Sequence, residues 1–295
     1  MDSAQFERMG TGHGFIAALD QSGGSTPGAL KRYGIAEDRY GQDGEMFDLV
    51  HAMRERIVMS PSFSGRHILG AILFEQTMDR TFDGLPAGDF LWERKTILPF
   101  LKVDKGLREE ADGVRLMKPI DDLDGLLARA KAARMFGTKM RSLIQGAGPA
   151  GITAIVAQQF DIGHRIAATG LVPILEPEID IHSPDKSECE RIHLEEILRR
   201  LHEETFEVPI MFKLTPPSID DFYRPVIEHP NVLRVVALSG GYTRADAVAI
   251  LARNHGLIAS FSRALTEGLT ETMTPEEFDA LLAESIRAIY DASVT

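Results

Sequence analysis

The side chains able to do chemistry in this sequence concentrate at the ends of short apolar runs. Lys213 stands in the segment Val208-Pro-Ile-Met-Phe-Lys-Leu-Thr-Pro, where such a run meets a proline-rich turn. Burial penalises the charged form of an ammonium group and lowers its pKa. A lysine held partly neutral can attack a ketone or aldehyde and form a Schiff base. The ordinary alternative is a lysine that extends to solvent or pairs with a carboxylate.

Charged side chains lie near the carboxyl ends of five other apolar runs. These are Asp20; Glu75; Lys102 with Asp104; Lys139 with Arg141; and Glu176 with Glu178. The members of each pair are two residues apart, so along a strand both side chains point to the same face. Each buried charge lowers stability unless it is paired. So many charges at strand ends therefore favour an active site over a purely structural role.

The last two apolar runs end in residues suited to binding an anion. The seventh ends in Leu238-Ser-Gly-Gly-Tyr and the eighth in Ser260-Phe-Ser-Arg-Ala. Glycine lets backbone N–H groups approach an anion closely, and Arg263 can bind two phosphate oxygens at once. A second candidate site follows the first run, where Ser22 and Ser25 and their amides could bind another phosphate. The sequence therefore predicts two phosphate sites.

Eight apolar runs recur along the chain, and their continuous apolar character indicates strands buried on both faces. They begin at Gly14, Leu69, Leu98, Met135, Val172, Ile210, Val232 and Leu257. Apolar residues at helical spacing lie between runs, as at Met46, Val50, Met53 and Ile57. Thr243-Arg-Ala-Asp and Thr274-Pro-Glu-Glu both predict helix starts with capping boxes.

This alternation predicts a (β/α)8 TIM barrel, an α/β fold, with residues 1–295 forming a single domain. A doubly wound open sheet is the alternative, although no G-x-G-x-x-G motif follows the first run to support it. The segment Thr81–Gly88 is expected to be a surface excursion of the chain.

Composition narrows the classes of function. The net charge is −12 and no block of basic residues occurs, which argues against a nucleic-acid partner. The lone Cys189 suits a reducing compartment. We see no signal peptide and no apolar run near the roughly 18 residues that span a bilayer, so a cytoplasmic protein off the membrane is expected. The nine histidines show no close metal-ligand spacing, so no metal is expected.

Seven segments, in this order, resemble the class I (Schiff-base, metal-independent) fructose-1,6-bisphosphate aldolases of compact bacterial type. They are GFIAALDQSGGS, LKVDKG, VPILEPEI, IMFKLT, VALSGGY, ASFSRAL and IYDASV. The resemblance covers essentially the whole chain. It implies a barrel enzyme that reversibly cleaves fructose 1,6-bisphosphate into dihydroxyacetone phosphate and glyceraldehyde 3-phosphate without a cofactor.

The resemblance also implies roles for the charged residues. Lys213 would be the Schiff-base lysine that attacks the C2 ketone. Glu176 would be the principal general acid and base, and Glu178 would orient it. Asp20 would contact the C4 hydroxyl, and Lys139 would polarise the reacting oxygens. Arg141 would support Lys139. The phosphate ligands would be Ser22, Ser25, Lys102, Ser239, Gly240 and Arg263. The first phosphate loop differs in length from that of the family, so the resemblance does not place its arginine, for which Arg32 is one candidate.

Some alternatives stay open at this point. A Schiff-base aldolase for another phosphorylated sugar, a metal-dependent aldolase or isomerase, and a non-catalytic sugar-phosphate-binding barrel would all share these features, and a homo-oligomer is possible. The sequence ends at Thr295, without the long tail and terminal tyrosine of animal members. Proton exchange is therefore expected to involve Glu176 or water.

Overall fold

A computed structural model describes residues 3–295, in which eight parallel strands close into a barrel. The strands are β1 (Phe15–Leu19), β2 (Ile68–Leu73), β3 (Leu98–Lys102), β4 (Gly137–Ile144), β5 (Val172–Ile179), β6 (Ile210–Leu214), β7 (Val232–Ala237) and β8 (Ile258–Phe261). Each strand pairs with the next, and β8 returns to β1 through the register Ile16↔Ser260. The predicted TIM barrel is confirmed, and the open-sheet alternative is wrong.

Helices surround the barrel over the same described range. They are α1 (Ser3–Thr11), α2 (Thr26–Arg32), α3 (Asp43–Met59), α4 (Glu75–Met78), α5 (Ala87–Asp89), α6 (Leu123–Ala132), α7 (Pro149–Ala167), α8 (Lys186–Glu203), α9 (Arg224–Ile227), α10 (Arg244–Leu251), α11 (Arg263–Thr266) and α12 (Pro275–Ser293). Short 3₁₀ turns lie at Gly23–Ser25 and Glu37–Arg39, and a π-helical segment, Phe90–Arg94, follows α5. None of the helices in this range is both long and apolar enough to cross a membrane.

The barrel interior below the carboxyl ends of the strands is apolar. Its buried side chains come from alternate residues of the strands: Ile16, Ala18, Ile72, Leu98, Phe100, Val172, Ile174, Met211, Val236 and Ile258. Met9 of α1 joins this cluster and Phe6 packs on it, so α1 covers the amino-terminal end of the barrel. Because side chains alternate along a strand, the inward residues two positions after this layer line the carboxyl-terminal end of the barrel.

Phe100 fills the interior because two neighbouring strands carry glycine beside it. A Cβ added at Gly70 would lie 2.9 Å from the Phe100 ring. One added at Gly137 would lie 2.8 Å from the ring and 2.1 Å from the Val172 carbonyl oxygen. Phe100 and Gly137 are paired in the register between β3 and β4. This close approach sets the relative position of the two strands.

One of the two predicted capping boxes is present, whereas the other helix start and the Thr81–Gly88 segment differ from the prediction. Thr274 and Glu277 form the predicted capping box of α12. At α10 the hydroxyl of Thr243 accepts the Asp246 N–H, but its second contact is with the Asp246 carboxylate rather than a reciprocal backbone bond. The expectation for Thr81–Gly88 is partly wrong. The segment contains a two-stranded antiparallel hairpin, Thr81–Phe82 with Leu85–Pro86, and the Phe82 side chain is buried because it packs into the core.

Candidate active site

The inward charges at the upper end of the barrel occupy the positions that strand alternation predicts. Asp20 follows Ala18, Lys102 follows Phe100, Glu176 follows Ile174 and Lys213 follows Met211, each two residues farther along its strand. Lys139 follows Gly137 in the same way. The charged layer therefore lies directly on the apolar interior, one side chain per strand.

Lys139 and Glu176 stand at the centre of this layer. The Nζ atom of Lys139 lies 2.7 Å from Oδ2 of Asp20 and 2.8 Å from Oε2 of Glu176. The Nζ atom of Lys213 lies 3.0 Å from the other Glu176 oxygen, Oε1. All four side chains are buried. Glu176 thus connects the two lysines, and two carboxylates balance two ammonium groups.

The surroundings keep Asp20 and Lys139 charged. Burial by itself would raise the pKa of Asp20, but attraction to Lys139, and then to Lys213, lowers it well below its usual range. Burial by itself would lower the pKa of Lys139, but Asp20 and Glu176 together raise it well above its usual range. Lys139 is therefore a fixed positive charge in the site.

Glu176 keeps hydrogen-bonding capacity for another molecule. Although Oε2 lies within ion-pair distance of Lys139, no group in residues 3–295 donates it a hydrogen bond of acceptable angle. A buried carboxylate oxygen without a directed donor can accept one from a hydroxyl group that enters the site. The geometry suits a general acid and base that faces the open side of the layer.

A second tier of ion pairs lies above the first. Glu178 pairs with Arg141. Burial by itself would lower the pKa of the Arg141 guanidinium, but attraction to the Glu178 carboxylate raises it above its usual value. Asp104 pairs with Lys102 at 2.7 Å and accepts the Arg141 N–H at 3.2 Å. Glu178 therefore holds Arg141.

The predicted phosphate residues follow β1, β7 and β8. The Ser25 hydroxyl accepts the Ser22 N–H at 3.0 Å and donates to its carbonyl oxygen at 2.9 Å, which shapes a tight turn. After β7, Gly240 adopts a φ of +59°, a conformation that favours glycine. This turn, with the buried Ser239 before it, directs the backbone toward Arg263.

Arg32 and Arg263 are two exposed cations that lie near each other at the edge of the cavity. Burial, and then the proximity of Arg263, lowers the pKa of Arg32. No carboxylate in the described part of the chain forms an ion pair with either guanidinium. Two adjacent guanidinium groups without a counter-charge favour an anion between them.

One open cavity of about 1100 Å³ connects these groups. Every predicted site residue lines it: Asp20, Ser22, Ser25, Lys102, Lys139, Arg141, Glu176, Glu178, Lys213, Ser239, Gly240 and Arg263. Glu75 is the strand-end charge that lies elsewhere, because it pairs at the outer rim with Lys105 and Arg129, each at 2.7 Å.

The cavity also has lining residues that the sequence argument did not name. They include Gln21, Arg115 and Lys118, while Ser260 and Ser262 line the cavity as part of the anion-binding segment that was predicted after the eighth run, although neither was assigned a role. The two serines alternate along β8, a signal that could have identified them as inward-facing. Arg115 comes from a short antiparallel segment, Val114–Arg115, beside β4. Its position depends on a loop without a sequence signature, so sequence reasoning had no means of finding it.

No group of three or more histidine, cysteine, aspartate or glutamate side chains within residues 3–295 is arranged to hold a metal ion. The side chains of the cavity are instead divided between ion-paired lysines and carboxylates at its base and unpaired arginines at its edge. This arrangement can bind an anionic carbonyl compound and move protons beside a lysine amine.

Comparisons with known proteins agree with this geometry. The chain is 57% identical over 291 residues to fructose-bisphosphate aldolase class 1 of Synechocystis sp., covering 99% of this chain and 97% of that protein. It is 54% identical to the protein of the same name from Porphyromonas gingivalis, with both chains fully covered. No family model matches the chain. A solved fructose-bisphosphate aldolase from Plasmodium falciparum, 20% identical, superposes with a TM-score of 0.79 over 98% of this chain and 93% of that one, which shows the shared fold.

Proposed function

Because this chain belongs to the class 1 fructose-bisphosphate aldolases, we propose that it is a lyase that cleaves fructose 1,6-bisphosphate reversibly through a Schiff base on Lys213. The observation that carries the assignment of the nucleophile is the buried contact of 3.0 Å between Lys213 Nζ and Glu176 Oε1. A lysine needs a neighbouring base to lose its proton before it can attack a ketone.

Schiff-base formation uses Lys213 and Glu176. The neutral amine adds to the C2 carbonyl carbon and forms a carbinolamine. Glu176, now protonated, gives its proton to the departing C2 hydroxyl, which leaves as water. The product is a positively charged iminium between Lys213 and C2. Lys139 lies 2.8 Å from the same carboxylate and holds it in place throughout.

The iminium then accepts the electrons of the breaking C3–C4 bond and becomes a neutral enamine. The C4 hydroxyl must lose its proton in this step so that an aldehyde can leave. Asp20, which its lowered pKa keeps ionised beside Lys139, is suited to orient that hydroxyl as the substrate binds, before the proton moves. Glu176 removes the proton, since its Oε2 atom has an unused lone pair.

The two phosphates are proposed to bind at opposite sides of the cavity. Arg32 and Arg263, with Ser239 and Gly240, would bind the phosphate on C1. The other phosphate would lie against Lys102 and the turn of Ser22 and Ser25. Two separate anion sites favour a bisphosphate over a monophosphate, because a monophosphate would leave one group of cations without its anion.

Borohydride reduction in the presence of dihydroxyacetone phosphate tests the nucleophile. The reduced adduct should appear on the peptide that contains Lys213, as measured by mass spectrometry. Lys213→Met should remain folded, lose activity and give no adduct, whereas Lys102→Met should still be labelled at Lys213. An unlabelled wild-type protein, or an adduct on Lys139, would contradict the mechanism.

Substrate choice has its own test. The ratio kcat/KM for fructose 1,6-bisphosphate should exceed that for fructose 1-phosphate, because the latter leaves one anion site empty. Comparable values would point to another phosphorylated sugar.

We also propose that the protein acts in the cytoplasm, where the buried Cys189 thiol stays reduced. Assembly into a homo-oligomer stays a prediction.

A further inference from the structure

We infer that Thr215 is a positioning residue that sets the distance between Lys213 and Glu176. Its hydroxyl accepts the Ile179 N–H at 2.8 Å and donates to the Ile179 carbonyl oxygen at 2.7 Å. Both residues are buried. One side chain therefore joins the carboxyl end of β5, which carries Glu176, to the residue just after β6, which carries Lys213.

The hydrogen bonds of Thr215 are needed because the backbone pairing between β5 and β6 ends before Glu176 and Lys213. The register between β5 and β6 consists of Ile174↔Met211 and Leu175↔Phe212. The next positions along the two strands are Glu176 and Lys213 themselves. On its other side, β5 stays paired with β4 as far as Ile179. The upper part of β5 is thus attached to β4 but has no further ladder pair with β6.

Pro177 is the physical reason for the gap. The N–H groups of alternate residues along a strand point to the same neighbour. The Asp180 N–H faces β4, where it donates to Ile144, so those of residues 177 and 179 face β6. Proline has no N–H, so one donor toward β6 is missing. The following donor, on Ile179, meets the Thr215 hydroxyl instead of a backbone carbonyl.

The missing pairing matters for catalysis because Glu176 and Lys213 lie just beyond the last residue pair that joins β5 to β6. Their separation of 3.0 Å depends on how far β5 and β6 diverge above Leu175. The contact between Thr215 and Ile179 limits that divergence two residues beyond Lys213 and three residues beyond Glu176. A small error in placing reacting groups can lower a rate by about 100-fold. Losing the hydroxyl should therefore affect chemistry more than substrate binding.

The inference rests on the proposed Schiff-base function and is tested with Thr215→Val. Valine keeps the shape of threonine but removes the donor and acceptor, leaving both Ile179 groups unpaired. We expect kcat and the borohydride trapping rate to fall by about tenfold to 100-fold, with KM changed by less than about threefold. The acid limb of the kcat–pH profile should also shift. Thr215→Ser, which keeps the hydroxyl, should retain near wild-type values.

Thr138→Val is the matched control. Thr138 is buried on β4, and its hydroxyl has no hydrogen-bond partner among the described residues. The same substitution there should leave kcat and the trapping rate unchanged. If Thr215→Val traps substrate as fast as Thr138→Val, the inference is wrong.

A second variant covers the case in which Thr215→Val does not fold. Thr215→Cys offers a weaker donor and acceptor, so its trapping rate should lie well below that of Thr215→Ser. Equal rates for the cysteine and serine variants would overturn the inference. Failure of wild-type protein to form any adduct would instead overturn the proposed function, so the two failures are distinguishable.

Discussion

At the scale of single residues, Glu176 has the most demanding position in the site. Its two carboxylate oxygens face two different ammonium groups, Lys139 at 2.8 Å and Lys213 at 3.0 Å. Lys139 also has Asp20 as a partner, whereas the recorded ion pair of Lys213 is with Glu176. This asymmetry separates the two lysines chemically. Lys139 is held as a cation by two carboxylates, whereas Lys213 has the single carboxylate of Glu176 beside it.

Glu176→Gln should remove the acid–base function while keeping the size of the side chain. We expect kcat to fall by about 10² to 10⁴ and the borohydride trapping rate to fall with it, because an amide cannot exchange the protons of carbinolamine dehydration. Glu178→Gln is the comparison, since Glu178 lies two residues farther along β5 and pairs with Arg141. Equal losses in the two variants would contradict the assigned role.

Asp20 should make the stability of the protein sensitive to acid. Its pKa in the folded state lies below the unfolded value of about 3.9, so its contribution to stability is present above that pH. The contribution decreases as the pH falls through the folded pKa. Lys139 has a raised pKa, so its contribution is lost only at strongly alkaline pH. The contribution of the Asp20–Lys139 ion pair to stability can therefore be measured by lowering the pH.

The measurement is the thermal midpoint of wild type and Asp20→Asn at pH 6 and pH 3. Wild type should lose more between these pH values than Asp20→Asn, which has no carboxyl group to protonate at that position. Glu284→Gln, a change at an exposed site of α12, should behave as wild type. A wild-type decrease no larger than that of Asp20→Asn would refute the prediction.

At the scale of elements, strand packing below the site positions the charges above it. The Phe100 ring occupies space left by Gly70 and Gly137, and Gly137 stands two residues before Lys139 on β4. Because β4 also carries Arg141, a displacement of this strand moves two cations of the site. The apolar layer is thus a determinant of catalytic geometry as well as of stability.

Gly137→Ala should disturb both the geometry of the site and the stability of the protein. The new Cβ would lie 2.1 Å from the Val172 carbonyl oxygen, which is backbone and cannot rotate away. We expect a loss of about 1–3 kcal/mol in the free energy of unfolding, typical of overpacking, and a lower kcat. Gly44→Ala is the control, because a Cβ there has no atom within 4 Å and alanine favours the α3 helix. Unchanged stability and kcat in Gly137→Ala would contradict this reading.

At the scale of the whole molecule, an acidic protein encloses a cationic binding cavity. The net charge is −12, yet Arg32, Arg263 and Lys118 line the cavity together with Lys139 and Lys213. A local group of cations attracts an anionic substrate against the overall charge, and dissolved salt screens that attraction.

The KM for fructose 1,6-bisphosphate should therefore increase several-fold between about 0.02 M and 0.5 M sodium chloride, where the screening length falls from roughly 20 Å to about 4 Å. The value of kcat should change little, because the buried ion pairs at the cavity base are screened less. Arg263→Gln should show a weaker dependence of KM on salt. An identical dependence in that variant would argue against its phosphate role.

We propose that residues 1–295 act as one folding unit. Helix α12 packs against α10, α11 and strands β1 and β8, while α1 packs against β2 and β7. These contacts join the two ends of the described chain across the barrel closure. A single cooperative transition should appear in urea, with fluorescence and circular dichroism coincident. Two separated transitions would contradict it.

The strands and their inward faces could be predicted from the sequence, and the same patterns indicated the candidate reactive side chains. The period of two along a strand is a local property, so Lys213, Glu176 and Lys139 could be placed on the inward face from their own runs. The charges at Asp20 and Lys102 were found in the same way. Glycine, serine and arginine at two further strand ends gave the candidate phosphate residues.

The tertiary structure alone decided which of these groups meet. Barrel closure and strand register bring Lys139 to Asp20 and Glu176, and they pair Arg141 with Glu178 at the second tier. The position of Arg115 and the bond from Thr215 to Ile179 were not predicted. Such contacts depend on where one strand lies beside another, and no local period encodes distances between residues separated by dozens of positions.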